Sequence, residues 1–189
     1  MKRLAIFASG TGTNANRIIE HFTRHPQVQV ALIVCNKPEA GVLTIARTHR
    51  INTLLIERER FVKGDGYITP LQDEKIDWII LAGFIWKIPL SIVHAFTGRI
   101  VNIHPALLPA FGGKGMYGQR VHEAVLASKA TESGITIHYV DEEYDHGSTI
   151  YQARCPVLAE DTPAALAERI HRLEHQHYPA IIETLICQQ

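Results

Sequence analysis

The sequence has few cysteines, no excess of charge of either sign and no long apolar run, and each absence excludes a class of protein. Its 189 residues contain only Cys35, Cys155 and Cys187. They are far apart and form no Cys-x-x-Cys pair, which argues against a disulfide framework or a Cys-rich zinc site and indicates a reducing compartment. Lys plus Arg equals Asp plus Glu at 19 each, so no net field attracts nucleic acid or anionic membrane. The first apolar run, residues 4–8, is too short for a signal peptide, and no stretch approaches the roughly 20 residues of a membrane span. We therefore expect a cytoplasmic protein that binds neither nucleic acid nor membrane.

The remaining composition is that of an ordinary globular protein, with 46% hydrophobic and 20% charged residues. This length suits one domain with a substantial core. Short apolar runs alternate with segments of helical periodicity, which predicts βαβ units and a parallel sheet with right-handed crossovers. Strands are predicted at 4–8, 28–34, 53–56, 78–82 and 100–103, and helices at 15–25, 42–50, 89–96 and 119–128.

The pattern changes in the last third of the chain. Apolar segments at 134–140 and 149–157 are separated only by an acidic loop, which is too short for a parallel crossover. We therefore expect a hairpin that adds an antiparallel element. Asp161-Thr162-Pro163 predicts a helix start, with Thr162 as N-cap and Pro163 at the first position, and a final helix to about residue 185.

A glycine-rich loop, Ser9-Gly10-Thr11-Gly12-Thr13-Asn14-Ala15, lies between the first predicted strand and helix. Backbone amides and a helix dipole can hold a phosphate there. The dinucleotide fingerprint also needs an acidic residue after the second strand, where this chain has Cys35-Asn36-Lys37, and the Walker pattern needs a Lys-Ser/Thr pair that is absent. The sequence predicts a cradle for a single phosphate; a tight turn that only serves packing is the alternative.

Asn102 and His104 are two residues apart on the fifth predicted strand, so their side chains leave the same face. Pro105 marks the carboxyl end of that strand, where open α/β sheets bind ligands. An amide donor beside an imidazole suits a reaction that develops an oxyanion and moves a proton. The alternative is a hydrogen-bonded strand end. The loop at 141–147 supplies several carboxylates, one of which could orient His104, and the spacing does not decide which.

Residues 171–175 read His-Arg-Leu-Glu-His and match the inverted zinc-protease motif H-x-x-E-H. Two histidines at i and i+4 share a helical face. With 11 histidines in the chain, however, a chance match is unremarkable. We expect no metal site.

Four motifs occur in the order found in one known family: the segment 10–14, the segment Leu-Ala-Gly-Phe at 81–84, Asn-Ile-His-Pro-Ala-Leu-Leu-Pro at 102–109, and 134–140 followed by Asp145-x-Gly147. Together they resemble the phosphoribosylglycinamide formyltransferases, folate-dependent transformylases of purine synthesis, over nearly the whole chain. The resemblance implies a single Rossmann-like α/β domain over 1–189, with a mostly parallel twisted sheet, an antiparallel element near the C-terminal end and helices on both faces. It also implies 10-formyltetrahydrofolate as co-substrate, glycinamide ribonucleotide as acceptor, no metal, and a monomer or homodimer.

The same resemblance implies roles for individual residues. Asn102 would steady a tetrahedral oxyanion, His104 would transfer a proton or polarise the formyl group, and Asp145 would hold His104 charged. The nucleotide-binding residues would be Gly12, Thr13 and Asn14 for the phosphate and Glu174 for the ribose. The folate-binding residues would be Ile85, Trp86, Lys87, Ile88, Asn102 and Val140, with Lys63 as the nearest match to a residue that reaches the folate tail.

Three other functions remain as alternatives. A formyltetrahydrofolate hydrolase would use the same Asn, His and Asp, but typically has an additional N-terminal regulatory domain, whereas this sequence starts directly at the first strand. A methionyl-tRNA formyltransferase would need a C-terminal RNA-binding domain and a basic face. A non-catalytic nucleotide-binding protein would explain the glycine loop but not the Asn-His-Asp set.

Overall fold

The sheet of the protein has seven strands in the order β3-β2-β1-β4-β5-β6-β7. A computed structural model describes residues 1–64 and 66–188. The strands β1 to β5 pair in parallel, and β6 and β7 pair antiparallel. The strands are β1 Lys2–Ala8, β2 Val28–Cys35, β3 Asn52–Leu55, β4 Trp78–Leu81, β5 Ile100–His104, β6 Glu132–Tyr139 and β7 Thr149–Pro156. The helices are α1 Thr13–Phe22, α2 Gly41–Thr48, α3 Arg58–Lys63, α4 Ile68–Asp73, α5 Leu90–Ala95, α6 Gln119–Ala127 and α7 Pro163–Cys187.

Helices cover both faces of this sheet, because the side chains of its buried strands alternate between two apolar clusters. In β1, Leu4 and Ile6 belong to a cluster completed by α1, α2, α6 and α7. Ala5 and Phe7 belong to the opposite cluster, completed by α3, α4 and α5. The predicted α/β architecture, a mostly parallel sheet with an antiparallel element, is confirmed.

The second cluster takes its strand residues from β1, β2, β4 and β5. On β5 and β6 the same face carries polar side chains instead. Asn102 and His104 alternate with the core residues Val101 and Ile103, and Asn102 pairs with His138 across the ladder. This polar part of the sheet face is where the candidate site lies.

The sequence predicted the ends of most strands and helices to within two or three residues. Thr162 caps α7 as predicted, since its hydroxyl accepts a hydrogen bond from the Ala165 N–H at 3.2 Å. The helices α3 and α4 were not predicted. Each contributes one buried side chain, Phe61 and Leu71 respectively, and α4 contains Pro70. One buried residue in a helix of six residues produces no readable periodicity.

Candidate active site

Two adjoining cavities lie beside the ends of β1, β4 and β5. One, of about 270 Å³, is lined by residues 10–14, by His104 and by Glu174; we call it the glycine-loop cavity. The other, of about 330 Å³, is lined by residues 84–88 and by part of the acidic loop; we call it the aromatic cavity. Asn102 lines both. A group transferred between ligands in the two cavities would therefore pass Asn102.

The glycine loop wraps the start of α1. Gly12 occupies the left-handed region at φ 81°, and a Cβ there would lie 2.8 to 2.9 Å from atoms of Val42. Only glycine fits this position without a shift of α2. The turn leaves the first N–H groups of α1 without helical partners, so they are available to an anion. The predicted phosphate residues Gly12, Thr13 and Asn14 all line the cavity.

Glu174 of α7 closes the other side of the glycine-loop cavity. Its carboxylate accepts a hydrogen bond from Asn14 Nδ2 at 2.8 Å, while Asn14 Oδ1 is buried without a partner among the described residues. Burial raises the pKa of Glu174, although the Asn14 contact opposes this. The contact joins the first turn of α1 to α7 through two residues 160 positions apart, both of which were predicted to bind the ribonucleotide.

Asn102 contacts His138 across the β5–β6 ladder. Asn102 Nδ2 lies 3.1 Å from His138 Nε2, and His138 Nδ1 lies 2.8 Å from the carbonyl oxygen of Tyr139. Because a carbonyl can only accept, the proton of a neutral His138 is assigned to Nδ1, and Nε2 accepts from the amide. Asn102 Nδ2 carries two hydrogens, so one remains for a ligand.

His104 is only 3% exposed, and both of its ring nitrogens face oxygen atoms. Nε2 donates to the carbonyl oxygen of Phe111 at 2.8 Å, and Nδ1 lies 3.5 Å from Asp145 Oδ2. The pKa of His104 is nevertheless below its ordinary value, because burial outweighs the raising effects of Asp145 and of the Phe111 carbonyl. The contact expected between Asp145 and His104 is present and acts to raise the pKa of His104, while burial acts against it.

Asp145 lies in the hairpin loop between β6 and β7, beside His104 of β5. Its backbone is left-handed, at φ 54°. Oδ2 accepts the Gly113 N–H at 2.9 Å, and Oδ1 lies 3.7 Å from His138 Nε2. Burial alone would raise the pKa of Asp145, but the neighbouring His138, His104 and Gly113 N–H hold it below its ordinary value. Asp145 is thus an anion between two buried histidines.

The aromatic cavity brings together most of the residues predicted to bind folate. Ile85, Trp86, Lys87, Ile88, Asn102 and Val140 all line it. Phe84 and Trp86 pack against Phe61 with ring centroids 5.7 and 5.8 Å apart, which fixes the apolar wall. Lys63 does not line this cavity. It ends α3 with a 72% exposed side chain, 3.8 Å from Glu59, in a separate depression that Lys87 also borders.

Four residues that line the two cavities or support the neighbouring strands were given no role in the sequence analysis. His138 and Thr136 alternate along β6 toward β5, a polar period of two that could have revealed them. Thr136 Oγ1 donates to the Ala106 carbonyl at 2.7 Å and accepts the Leu108 N–H at 2.9 Å, so it anchors the turn after β5. Tyr117 and His122 line the glycine-loop cavity from a segment without a strong local pattern.

The H-x-x-E-H motif has a different arrangement in the structure. The rings of His171 and His175 stack 6.4 Å apart, and Glu174 between them is buried against Asn14. In residues 1–64 and 66–188, no group of three His, Cys, Asp or Glu side chains is placed to hold a metal ion. Nor does any helix in that part of the chain have the length and apolar character needed to cross a membrane.

Comparison with known proteins identifies the family. The model of the formyl transferase family matches residues 2–182. A phosphoribosylglycinamide formyltransferase of Bacillus subtilis is 36% identical over 98% of this chain and 95% of its own length. A chloroplastic one of Arabidopsis thaliana is 42% identical over the whole chain, which spans 66% of that relative. The solved structure of glycinamide ribonucleotide transformylase 1 from Geobacillus kaustophilus superposes with a TM-score of 0.89 at 37% identity, covering 98% of both chains.

The chain therefore belongs to the formyl transferase family, a family of enzymes. The relatives named above are all phosphoribosylglycinamide formyltransferases, and the resemblance predicted from the four motifs is confirmed.

Proposed function

We propose that this protein transfers the formyl group of 10-formyltetrahydrofolate to the amine of glycinamide ribonucleotide in purine synthesis. The observation that carries the proposal is that two cavities of different character share Asn102, beside the buried pair His104 and Asp145. The activity for which the relatives are named supports it. We place the reaction in a single domain over 1–189, in the cytoplasm, as a monomer or homodimer without nucleic acid, membrane or metal.

The ribonucleotide would occupy the glycine-loop cavity. Its phosphate would accept hydrogen bonds from the N–H groups at Gly12, Thr13 and Asn14, where the dipole of α1 favours an anion. Its ribose hydroxyls would contact Glu174, which already holds Asn14 in place. The reacting amine would then point toward Asn102 and His104.

The folate would occupy the aromatic cavity. Its pterin ring would lie against the wall formed by Ile85, Trp86, Lys87 and Ile88, with Val140 on the opposite side. A flat, largely apolar ring with N–H and carbonyl edges suits such a wall, because the backbone groups of the segment can pair with those edges. Lys63 has no part in this proposal.

In the reaction the amine nitrogen attacks the formyl carbon, and the carbonyl oxygen becomes an oxyanion. Asn102 Nδ2–H would donate to that oxygen. His104 would polarise it or transfer a proton once its Nε2–H leaves the Phe111 carbonyl, which it contacts at 2.8 Å. The tetrahedral intermediate collapses when its bond to folate N10 breaks, and the proton lost by the amine ends on N10.

An assay of formyl transfer tests the proposal. Incubation of the protein with 10-formyltetrahydrofolate should yield tetrahydrofolate only when glycinamide ribonucleotide is also present, together with the formylated ribonucleotide. Release of formate without the acceptor would instead favour the hydrolase. Absence of turnover with binding of the ribonucleotide alone would favour a non-catalytic nucleotide-binding protein. Asn102→Ala serves as the control for contaminating activity.

A further inference from the structure

His122 is a buried titratable residue that the proposed reaction does not use. It lies in the first turn of α6 and is only 3% exposed. Its ring lines the glycine-loop cavity together with Asn102, His104 and Glu174. Its Nδ1 atom is buried without a hydrogen-bond partner among the described residues. Buried polar atoms almost always have partners, and one without a partner destabilises the protein unless a ligand or water satisfies it.

His122 is neutral at physiological pH. Burial, followed by the proximity of His171 and of His104, lowers its pKa to about 4. A neutral imidazole has one N–H donor and one lone pair. It can therefore pair with an uncharged N–H, O–H or carbonyl group, whereas it offers no positive charge to a phosphate.

The neighbours of His122 locate it along the cavity. His171 lies one helical turn from Glu174 on α7, at the end where the ribose is proposed to bind. His104 lies on β5, at the end where the formyl group is proposed to react. His122 lines the same cavity as both of these histidines, and this cavity extends over the interval between the two ends. If the proposed function holds, the part of the substrate that crosses this interval is the glycinamide arm, which carries an amide and an amine.

We propose that His122 is a substrate-contacting residue that forms a hydrogen bond with the glycinamide arm of the ribonucleotide. The inference rests on the proposed function. His122 then distinguishes a ribose phosphate that carries an aminoacyl amide from one that does not. The Nδ1 atom, which has no partner among the described residues, would find one in the amide or amine of this arm.

Two ligands separate this role from a general packing role. Ribose 5-phosphate has the phosphate and ribose of the substrate but lacks the arm. We compare His122→Leu and His122→Gln with the unaltered protein by calorimetric titration. His122→Leu should bind glycinamide ribonucleotide about three- to tenfold more weakly, which corresponds to the loss of one neutral hydrogen bond. Binding of ribose 5-phosphate should be unchanged in both variants. The Gln variant, which keeps a donor and an acceptor, should retain more affinity than the Leu variant.

His175 provides the matched control. Its Nε2 atom is also buried and has no hydrogen-bond partner in the part of the chain that the structure describes, and His175 lies on α7 outside the residues that line the cavity. His175→Leu should leave the affinity for both ligands unchanged. An equal loss for both ligands in the His122 variants, or no loss for either, would overturn the inference. Failure of the unaltered protein to bind glycinamide ribonucleotide while it binds ribose 5-phosphate would instead overturn the proposed function, and this inference with it.

Discussion

Replacing Asp145 with Asn should lower the pKa of His104 further below its ordinary value. The carboxylate lies 3.5 Å from His104 Nδ1, and the two side chains are only 12% and 3% exposed. Asn has the same shape and still offers an oxygen to the Gly113 N–H, which Asp145 contacts at 2.9 Å. The substitution therefore removes the negative charge and leaves the hairpin loop anchored.

The size of the effect follows from the distance. At 3.5 Å and an effective dielectric constant of 20, two opposite unit charges attract by about 5 kcal/mol. In proteins an opposite charge this close typically moves a pKa by about one to three units. The burial that already holds the pKa of His104 low is the same in both proteins. We therefore expect the midpoint to fall by at least about one unit.

The measurement is an NMR titration of ¹⁵N-labelled histidine, with the His104 signal assigned from its absence in His104→Gln. Asp141→Asn is the matched control, since Asp141 belongs to the same loop but contacts the exposed His146 at 3.2 Å. It should leave the His104 midpoint unchanged. An unchanged midpoint in Asp145→Asn, or an equal shift in Asp141→Asn, would refute the assignment of Asp145 as the partner of His104.

Four further outcomes are expected. Asn102→Ala should lower kcat about 10²–10³-fold, as loss of an oxyanion donor typically does, with little change in the dissociation constants of either substrate. Gly12→Ala should raise the KM for the ribonucleotide far more than that for folate, because its Cβ would press on Val42; Gly98→Ala, also at positive φ but in open space, should change neither KM. Exhaustive chelation of metal ions should leave the formyl transfer activity intact. Loss of this activity on chelation, with recovery on adding zinc, would instead indicate that the H-x-x-E-H motif binds zinc. Because the pKa of His122 falls from 6.5 to about 4 on folding, the unfolded chain binds more protons than the folded one between pH 4 and pH 6.5, and this lowers the stability of the folded protein as the pH falls. In urea unfolding, the free energy of unfolding should therefore decrease less between pH 7 and pH 5 in His122→Leu than in the unaltered protein.

The sequence allowed prediction of the centre of the sheet because β1 and β4 are buried on both faces. Residues 4–8 and 78–82 are uninterrupted apolar runs, a pattern typical of such strands. The short helices α3 and α4 could not be predicted, since Phe61 and Leu71 are single anchors whose burial depends on the sheet beneath them. Their positions are set by tertiary packing and not by local periodicity.

The candidate site was only partly predictable for the same reason. That Asn102 and His104 share a face follows from the period of a strand. The Phe111 carbonyl that meets His104 belongs to a loop without regular structure, and nothing in its sequence indicates the contact. The spacing of residues indicates a carboxylate near His104, but it does not indicate the depth of burial that lowers the pKa of this histidine.

The antiparallel end of the sheet explains how the site is assembled. In the β5–β6 ladder, residues directly opposite each other share a face, so Asn102 faces His138 and His104 faces Thr136. A parallel neighbour to β6 would require a crossover helix, which would carry the chain away from this face. The hairpin instead returns to the sheet through residues 140–148, and Gly147 passes so close to the Tyr139 carbonyl that no Cβ fits. This close return keeps the carboxylate of Asp145 beside His104. The antiparallel pairing of β5 with β6 therefore supplies His138, the partner of the amide, and the hairpin between β6 and β7 supplies Asp145, the partner of the imidazole.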